Sequence, residues 1–122
     1  MPPLTTRPKA ATVGVGRQVI LRPAIQKRYV ELDDPTLSDQ RTDLERLRDA
    51  VDDLELTVEP RVLATVGRTL RSSDWKVTAV VVDDALVGVE PGDTTGTAYA
   101  VAVDLGTTTV VATLMDVKTG TP

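Results

Sequence analysis

No cysteine, no histidine and no phenylalanine occur among the 122 residues. The first two absences exclude, within this chain, a disulfide framework, a thiolate zinc or iron–sulfur site, a cysteine nucleophile and a histidine general base. They leave only hard, oxygen-ligated ions such as magnesium as candidate metals. The aromatic residues are Tyr29, Trp75 and Tyr99, so the core must come from Val, Leu, Ala and Ile. No apolar run approaches the roughly 18 to 20 residues of a membrane helix. The opening "MPPLTTRPKAATVGVGR" lacks the apolar stretch of a secretory signal. The expectation is a cytoplasmic protein with no membrane partner.

Charge is present but uneven. Residues 1–30 carry six bases and no acid, while the remainder carries eight bases and all 18 acids. The sparse spacing of the bases and the acidic body speak against a nucleic-acid partner, since phosphate would be repelled. The basic arm reads as a solvated linker.

Along the chain, residues 1–26 read as a leader or linker, rich in Pro and Gly at its start. "GVG" at 14–16 lacks the third glycine and the preceding strand of a dinucleotide fingerprint. Arg17–Leu21 and Lys27–Leu32 read as short strands, separated by Pro23. The segment 33–56 predicts a helix, entered through Asp34-Pro35-Thr36, with Ser38 as N-cap. Its apolar stripe is Leu37, Leu44, Leu47, Val51 and Leu54, with Arg41/Glu45 and Arg48/Asp52 pairs on the outside. A second helix is expected from Pro60 to Leu70, with Leu63, Val66 and Leu70 on one face and Gly67 as a weak point. Trp75 reads as a core or rim anchor. Lys76–Val82 and Leu86–Glu90 read as a hairpin turning at Asp83–Ala85. Pro91–Gly96, "PGDTTG", is a connector and the best domain boundary. The fold class that follows is α+β: a small middle domain over 27–92 with two helices and a β-hairpin, then a further hairpin over 97–122.

That last hairpin carries the chemistry. "AYAVAVDLG" and "TTTVVATLMD" are nearly continuous apolar runs that turn at Gly106-Thr107. Such runs suggest strands buried on both faces of a larger sheet, because two strands alone are not stable. Gly106 removes a Cβ from the path of an anion and tolerates positive φ. Thr107, Thr108 and Thr109 supply hydroxyls and successive amides, the donors a phosphate wants. Asp104 could hold a hydrated magnesium ion that bridges to phosphate. A plain hairpin, with Asp-Leu-Gly-Thr as turn chemistry and threonines as strand residues, accounts for the same residues equally well.

The stretch "AVDLGTTTVVATLMDVKTG" resembles the first phosphate motif of the superfamily of sugar kinases, acetate kinase, actin and heat-shock chaperone ATPases. Members of that superfamily show Asp-x-Gly-Thr-[Ser/Thr] in a hairpin that opens an actin-like ATPase lobe. Three blocks in order, "KRYVELDDPTLSDQRTDLERL", "DWKVTAVVVDD" and "VEPGDTTGTAYAVAVDLGTTTV", resemble the reductive activators of corrinoid-dependent proteins over roughly residues 17–122. Those activators join a [2Fe–2S] ferredoxin-like domain, a linker, a middle domain and an ATPase domain. They couple ATP hydrolysis to reduction of Co(II) corrinoid to Co(I). The resemblance implies that Asp104 is the magnesium-linked carboxylate and that Gly106, Thr107, Thr108 and Thr109 line the nucleotide phosphates. It implies no catalytic residue in this chain. The cofactors it implies are ATP, magnesium and a [2Fe–2S] cluster, the last without ligands here. The implied partner is a corrinoid iron–sulfur protein or a methyltransferase-associated corrinoid protein. On this reading the chain holds a linker, a middle domain and a truncated ATPase start that is inactive alone. Two other readings stay open: a small non-catalytic interaction or scaffold protein, and a piece of a sugar-kinase-like phosphotransferase.

Overall fold

The computed structural model describes residues 23–122. The strand expected at Arg17–Leu21, the "GVG" motif and most of the leader lie outside those residues. The described chain is α+β, with elements β1 (Ile25–Glu31), α1 (Asp43–Ala50), β2 (Thr57–Val58), α2 (Pro60–Ser72), β3 (Lys76–Val82), β4 (Ala85–Pro91), β5 (Tyr99–Leu105) and β6 (Val110–Asp116). They fall into two units, 23–97 and 98–122.

In the first unit, β3 is a β-branched run, the composition that best fits a pleated, covered surface. It lies at the centre of a four-stranded sheet in the order β1-β3-β4-β2. It pairs antiparallel with β1 and with β4, and β2 adds in parallel to the far edge of β4. Alternation sends Val77, Ala79 and Val81 to one face, all fully buried. Leu47 of α1, Val62, Val66 and Leu70 of α2, Trp75 and Leu86 complete the core with them. Each fully buried Val or Leu contributes about 1.5–3 kcal/mol relative to exposure.

Pro60 occupies the first turn of α2, as its lack of an amide hydrogen allows. The buried face is Val62, Val66 and Leu70, at i, i+4 and i+8. Leu63 is 56% exposed and leaves the expected stripe. Gly67 has a packing reason: a Cβ there would lie 2.8 Å from the Asp43 carboxylate. After α2 the backbone turns through Asp74 (φ 54°) and Trp75 (φ 62°). The Trp75 amide donates to the Leu70 carbonyl at 2.9 Å. A bulky residue in this left-handed region is unusual. Burial of the ring is the compensation, since Trp75 is 7% exposed.

The first helix departs most from expectation. It starts at Asp43, not near Ser38, and its N-cap is Thr42. Thr42 and Glu45 form a reciprocal capping box: the Glu45 amide donates to Thr42 Oγ1 at 3.2 Å, and the Thr42 amide donates to Glu45 Oε2 at 2.8 Å. Asp39 explains why the helix does not begin earlier. Its carboxylate accepts from the Arg41 amide and from both Arg41 and Arg46 guanidinium groups, a local alternative to helical pairing. Leu37 is therefore fully exposed, whereas Leu47 and Val51 are buried. In place of the expected i,i+4 pairs, Arg41 pairs with Asp39 and Asp49. Arg48 donates to the Leu56 carbonyl at 2.9 Å.

In the second unit, β5 and β6 pair antiparallel from Tyr99↔Asp116 to Leu105↔Val110. The expected two-residue turn is a four-residue loop, 106–109. Tyr99, Val101, Val103, Leu105, Val110 and Leu114 are all more than half exposed. Among the described residues β5 and β6 form a two-stranded sheet of their own, with no further strand or second layer of that sheet to cover them.

Candidate functional site

The candidate phosphate residues share one end of the β5–β6 hairpin. Asp104 lies on β5 opposite Val111, and Gly106, Thr107, Thr108 and Thr109 form the loop. All five are exposed. The Gly106 amide donates to the Thr109 carbonyl at 2.7 Å, closing the loop on itself. A Cβ on Gly106 would stand 3.0 Å from that same oxygen. A Cβ there would force the Thr109 carbonyl to give by a few tenths of an ångström, so glycine suits this close approach of backbone to backbone. Positive φ is not the reason, because the glycines in that region are Gly92 and Gly120.

This geometry narrows the donor set. The Gly106 amide is occupied, whereas the amides of Thr107 and Thr108 have no hydrogen-bond partner among the described residues. Two free amides and three threonine hydroxyls on one exposed loop suit the oxygens of a phosphate. The fit to magnesium is partial. Among the described residues no group of three or more acidic side chains converges. An ion at Asp104 would draw its other ligands from phosphate and water, as magnesium commonly does. A [2Fe–2S] cluster does not fit this chain, which has no cysteine or histidine to ligate one.

Two concavities lie elsewhere, in the unit 23–97. An open groove of about 440 Å³ is lined by Arg48, Leu54, Leu56 and Asp84 among others. A smaller hollow of about 180 Å³ is lined by Glu31, Asp33, Arg41, Arg46 and Asp49 among others. Its polar groups are largely spent on each other. Hydrogen bonds from Arg41 and then Arg46 hold the Asp39 carboxyl well below the usual carboxylate range, and Asp39 in turn pushes the Arg41 guanidinium up. Arg46 is 2% exposed. Its Nε and Nη2 have no hydrogen-bond partner among the described residues, but the guanidinium carbon lies 5.8 Å from the Trp75 ring centroid. Arg71 lies 5.2 Å from the same centroid. Both distances are within cation–π range. These groups tie the 33–42 loop, α1 and α2 to the single tryptophan, which is a folding role. The sequence signal for it was weak, since nothing in the spacing of Asp39, Arg46 and Trp75 announces their meeting. No helix among the described residues is long and apolar enough to cross a membrane.

Known proteins resemble the chain as follows. A family profile described as the RACo linker region matches residues 14–96. A solved structure, a reductive activator for corrinoid, iron–sulfur protein, shares 30% sequence identity and a TM-score of 0.62, over 90% of this chain and 19% of that one. The chain thus spans about a fifth of that relative's length. No curated protein sequence matches. The loop 106–109 lies beyond the segment that the family profile matches.

Proposed function

The chain belongs to the RACo linker family, and on that premise we propose that it is the linker and nucleotide-hairpin segment of an ATP-dependent reductive activator of corrinoid proteins. The observation that carries this reading is the likeness to a reductive activator over 90% of the chain at 30% identity. The cobalt of a corrinoid, bound to a corrinoid iron–sulfur protein or a methyltransferase-associated corrinoid protein, is the substrate, reduced from Co(II) to Co(I). ATP hydrolysis supplies the free energy for that low-potential step. A [2Fe–2S] cluster would supply the electrons, and its ligands would have to come from outside these residues, which hold no cysteine or histidine. We place the reaction in the cytoplasm.

Within this division of labour the chain binds and positions; it contributes no acid, base or nucleophile of its own. The free amides of Thr107 and Thr108 and the hydroxyls of Thr107–Thr109 donate to phosphate oxygens. Gly106 keeps the loop tight. Asp104, near the end of β5, would hold magnesium through its water shell, and the ion would neutralise phosphate charge. Most of the pocket that encloses the nucleotide lies on chain outside these residues, so ATP turnover requires that remainder. The test is to exchange the corresponding segment of the solved activator for residues 23–122 and to measure ATP turnover. Turnover survives the exchange, and Asp104→Asn lowers it roughly 100-fold, the scale of losing one preorganised electrostatic contact. Full turnover by the Asp104→Asn form refutes the assignment of the loop.

A further inference from the structure

In sequence, Pro91–Gly96 is a connector of turn residues. In the structure it is stitched to the sheet. Gly92, at φ 71°, bends the chain as it leaves β4, and its amide donates to the Lys76 carbonyl at 2.8 Å. Thr78 of β3, fully buried, donates its hydroxyl to the Gly92 carbonyl at 2.7 Å and accepts from the Thr94 amide at 2.9 Å. Lys27 of β1 reaches across to Glu90 Oε2 at 2.8 Å, with its side chain 12% exposed. Lys27 also lies 3.5 Å from both the carbonyl and the hydroxyl of Thr94. The Thr94 hydroxyl donates to the same Glu90 carboxylate. The Thr97 amide closes the segment on the Thr94 carbonyl at 3.2 Å.

We propose that Gly92–Thr97 is a latched strap, locked by Thr78, Lys27 and Glu90, that controls the length of free chain between the sheet and β5. Closed, it leaves only the backbone from Thr97 through Ala98 to Tyr99 between them. Released, it becomes a six-residue tether that extends to about 20 Å. The latch joins three strands, since Lys27 belongs to β1, Thr78 to β3 and Glu90 to β4. Releasing Gly92 and Thr94 together takes both partners from the buried Thr78 hydroxyl, which is costly for a group with restricted access to water, while Lys27 and Glu90 keep their direct pair. A connector that only spanned two units would need none of these bonds.

Amide hydrogen exchange on the 122-residue chain tests this. The Thr108 amide, which has no partner among the described residues, is the open-loop reference, and the Val81 amide reports on the intact sheet. The Thr94 and Thr97 amides are expected to exchange at least about tenfold more slowly than Thr108 after correction for intrinsic rates. Thr78→Val is expected to speed exchange at Thr94 by about 10- to 100-fold, with Val81 unchanged. Lys27→Met removes the second arm without touching the buried hydroxyl, and it is expected to speed Thr94 at least severalfold. If Thr78→Val also exposes Val81, the Lys27→Met result decides. Exchange at Thr94 as fast as at Thr108 in the unaltered chain, or unchanged in Lys27→Met, overturns the proposal.

Discussion

Replacing Gly67 by alanine sets two effects of known size against each other. Gly67 lies inside α2, where alanine is favoured by about 1 kcal/mol. The new Cβ would stand 2.8 Å from Asp43 Oδ2 and 3.3 Å from Arg71 Nη1. Both obstacles are ends of flexible side chains, and they pair with each other at 2.6 Å with side-chain exposures of 27% and 57%. Asp43 can therefore rotate away, at the expense of a partly exposed ion pair worth about 0.2–1 kcal/mol. The balance predicts that Gly67→Ala is neutral to stabilising by somewhat under 1 kcal/mol. With Asp43→Ala already present the nearer obstacle is gone and the Arg71 end alone must give, so the same change yields a gain closer to the full value of about 1 kcal/mol. The difference between the two backgrounds is the coupling energy of a double-mutant cycle. Urea unfolding followed by Trp75 fluorescence measures all four forms, with equal m-values as the check on comparability. Gly67→Ala that destabilises by more than about 1 kcal/mol in both backgrounds refutes the reasoning, because it places the clash in backbone that cannot yield.

The helix start makes a second prediction. Thr42→Ala removes the cap of α1 and destabilises by about 1 kcal/mol in the same urea assay, while Ser38→Ala, outside the helix, stays within about 0.5 kcal/mol. A third concerns acid. Asp39 and Glu45 have folded-state pKa values below their ordinary ones: Asp39 through Arg41 and Arg46, and Glu45 through the Thr42 amide and hydroxyl. Glu90 is also lowered, because the Lys27 and Thr94 hydrogen bonds outweigh its partial burial. A depressed carboxyl pKa adds stability above the unfolded value of about 4 and loses it as pH falls through the folded one. The urea midpoint therefore falls from about pH 5 downward, and Asp39→Asn flattens that fall. A pH profile unaltered by Asp39→Asn would contradict the role given to its two arginines.

Much of this was legible in the sequence where pattern and chemistry agreed. Lys76–Val82 is a β-branched run with no competing signal, and it forms β3 over those residues. Pro60 marked the start of α2 because its ring suits only the first turn. Two errors have local causes. Leu63 and Val62 are neighbours, and periodicity alone could not say which turned inward; Val62 joins the core cluster and Leu63 stays exposed. The cap was expected at Ser38, four residues before the Thr42 that caps α1. The decisive signal was Thr42-x-x-Glu45, which the sequence contained and the apolar stripe obscured. β2 is only two residues long, too short for any periodicity, and is specified by its pairing with β4. At the candidate site, the residue types were visible but their roles were not. That Gly106 spends its amide on Thr109, leaving Thr107 and Thr108 as the free donors, depends on a loop length the sequence did not fix. The strap had the same limit, since its partners Lys27 and Thr78 are remote in sequence from Thr94.

The most direct test of the account is cobalt reduction itself. The solved activator carrying residues 23–122 in place of its own segment is mixed with a Co(II) corrinoid protein and an electron donor, and the corrinoid absorbance is followed with and without ATP. The account predicts conversion to Co(I) that requires ATP. A folded, cluster-loaded hybrid that hydrolyses ATP yet leaves the corrinoid as Co(II), under conditions where the unexchanged activator reduces it, would contradict it.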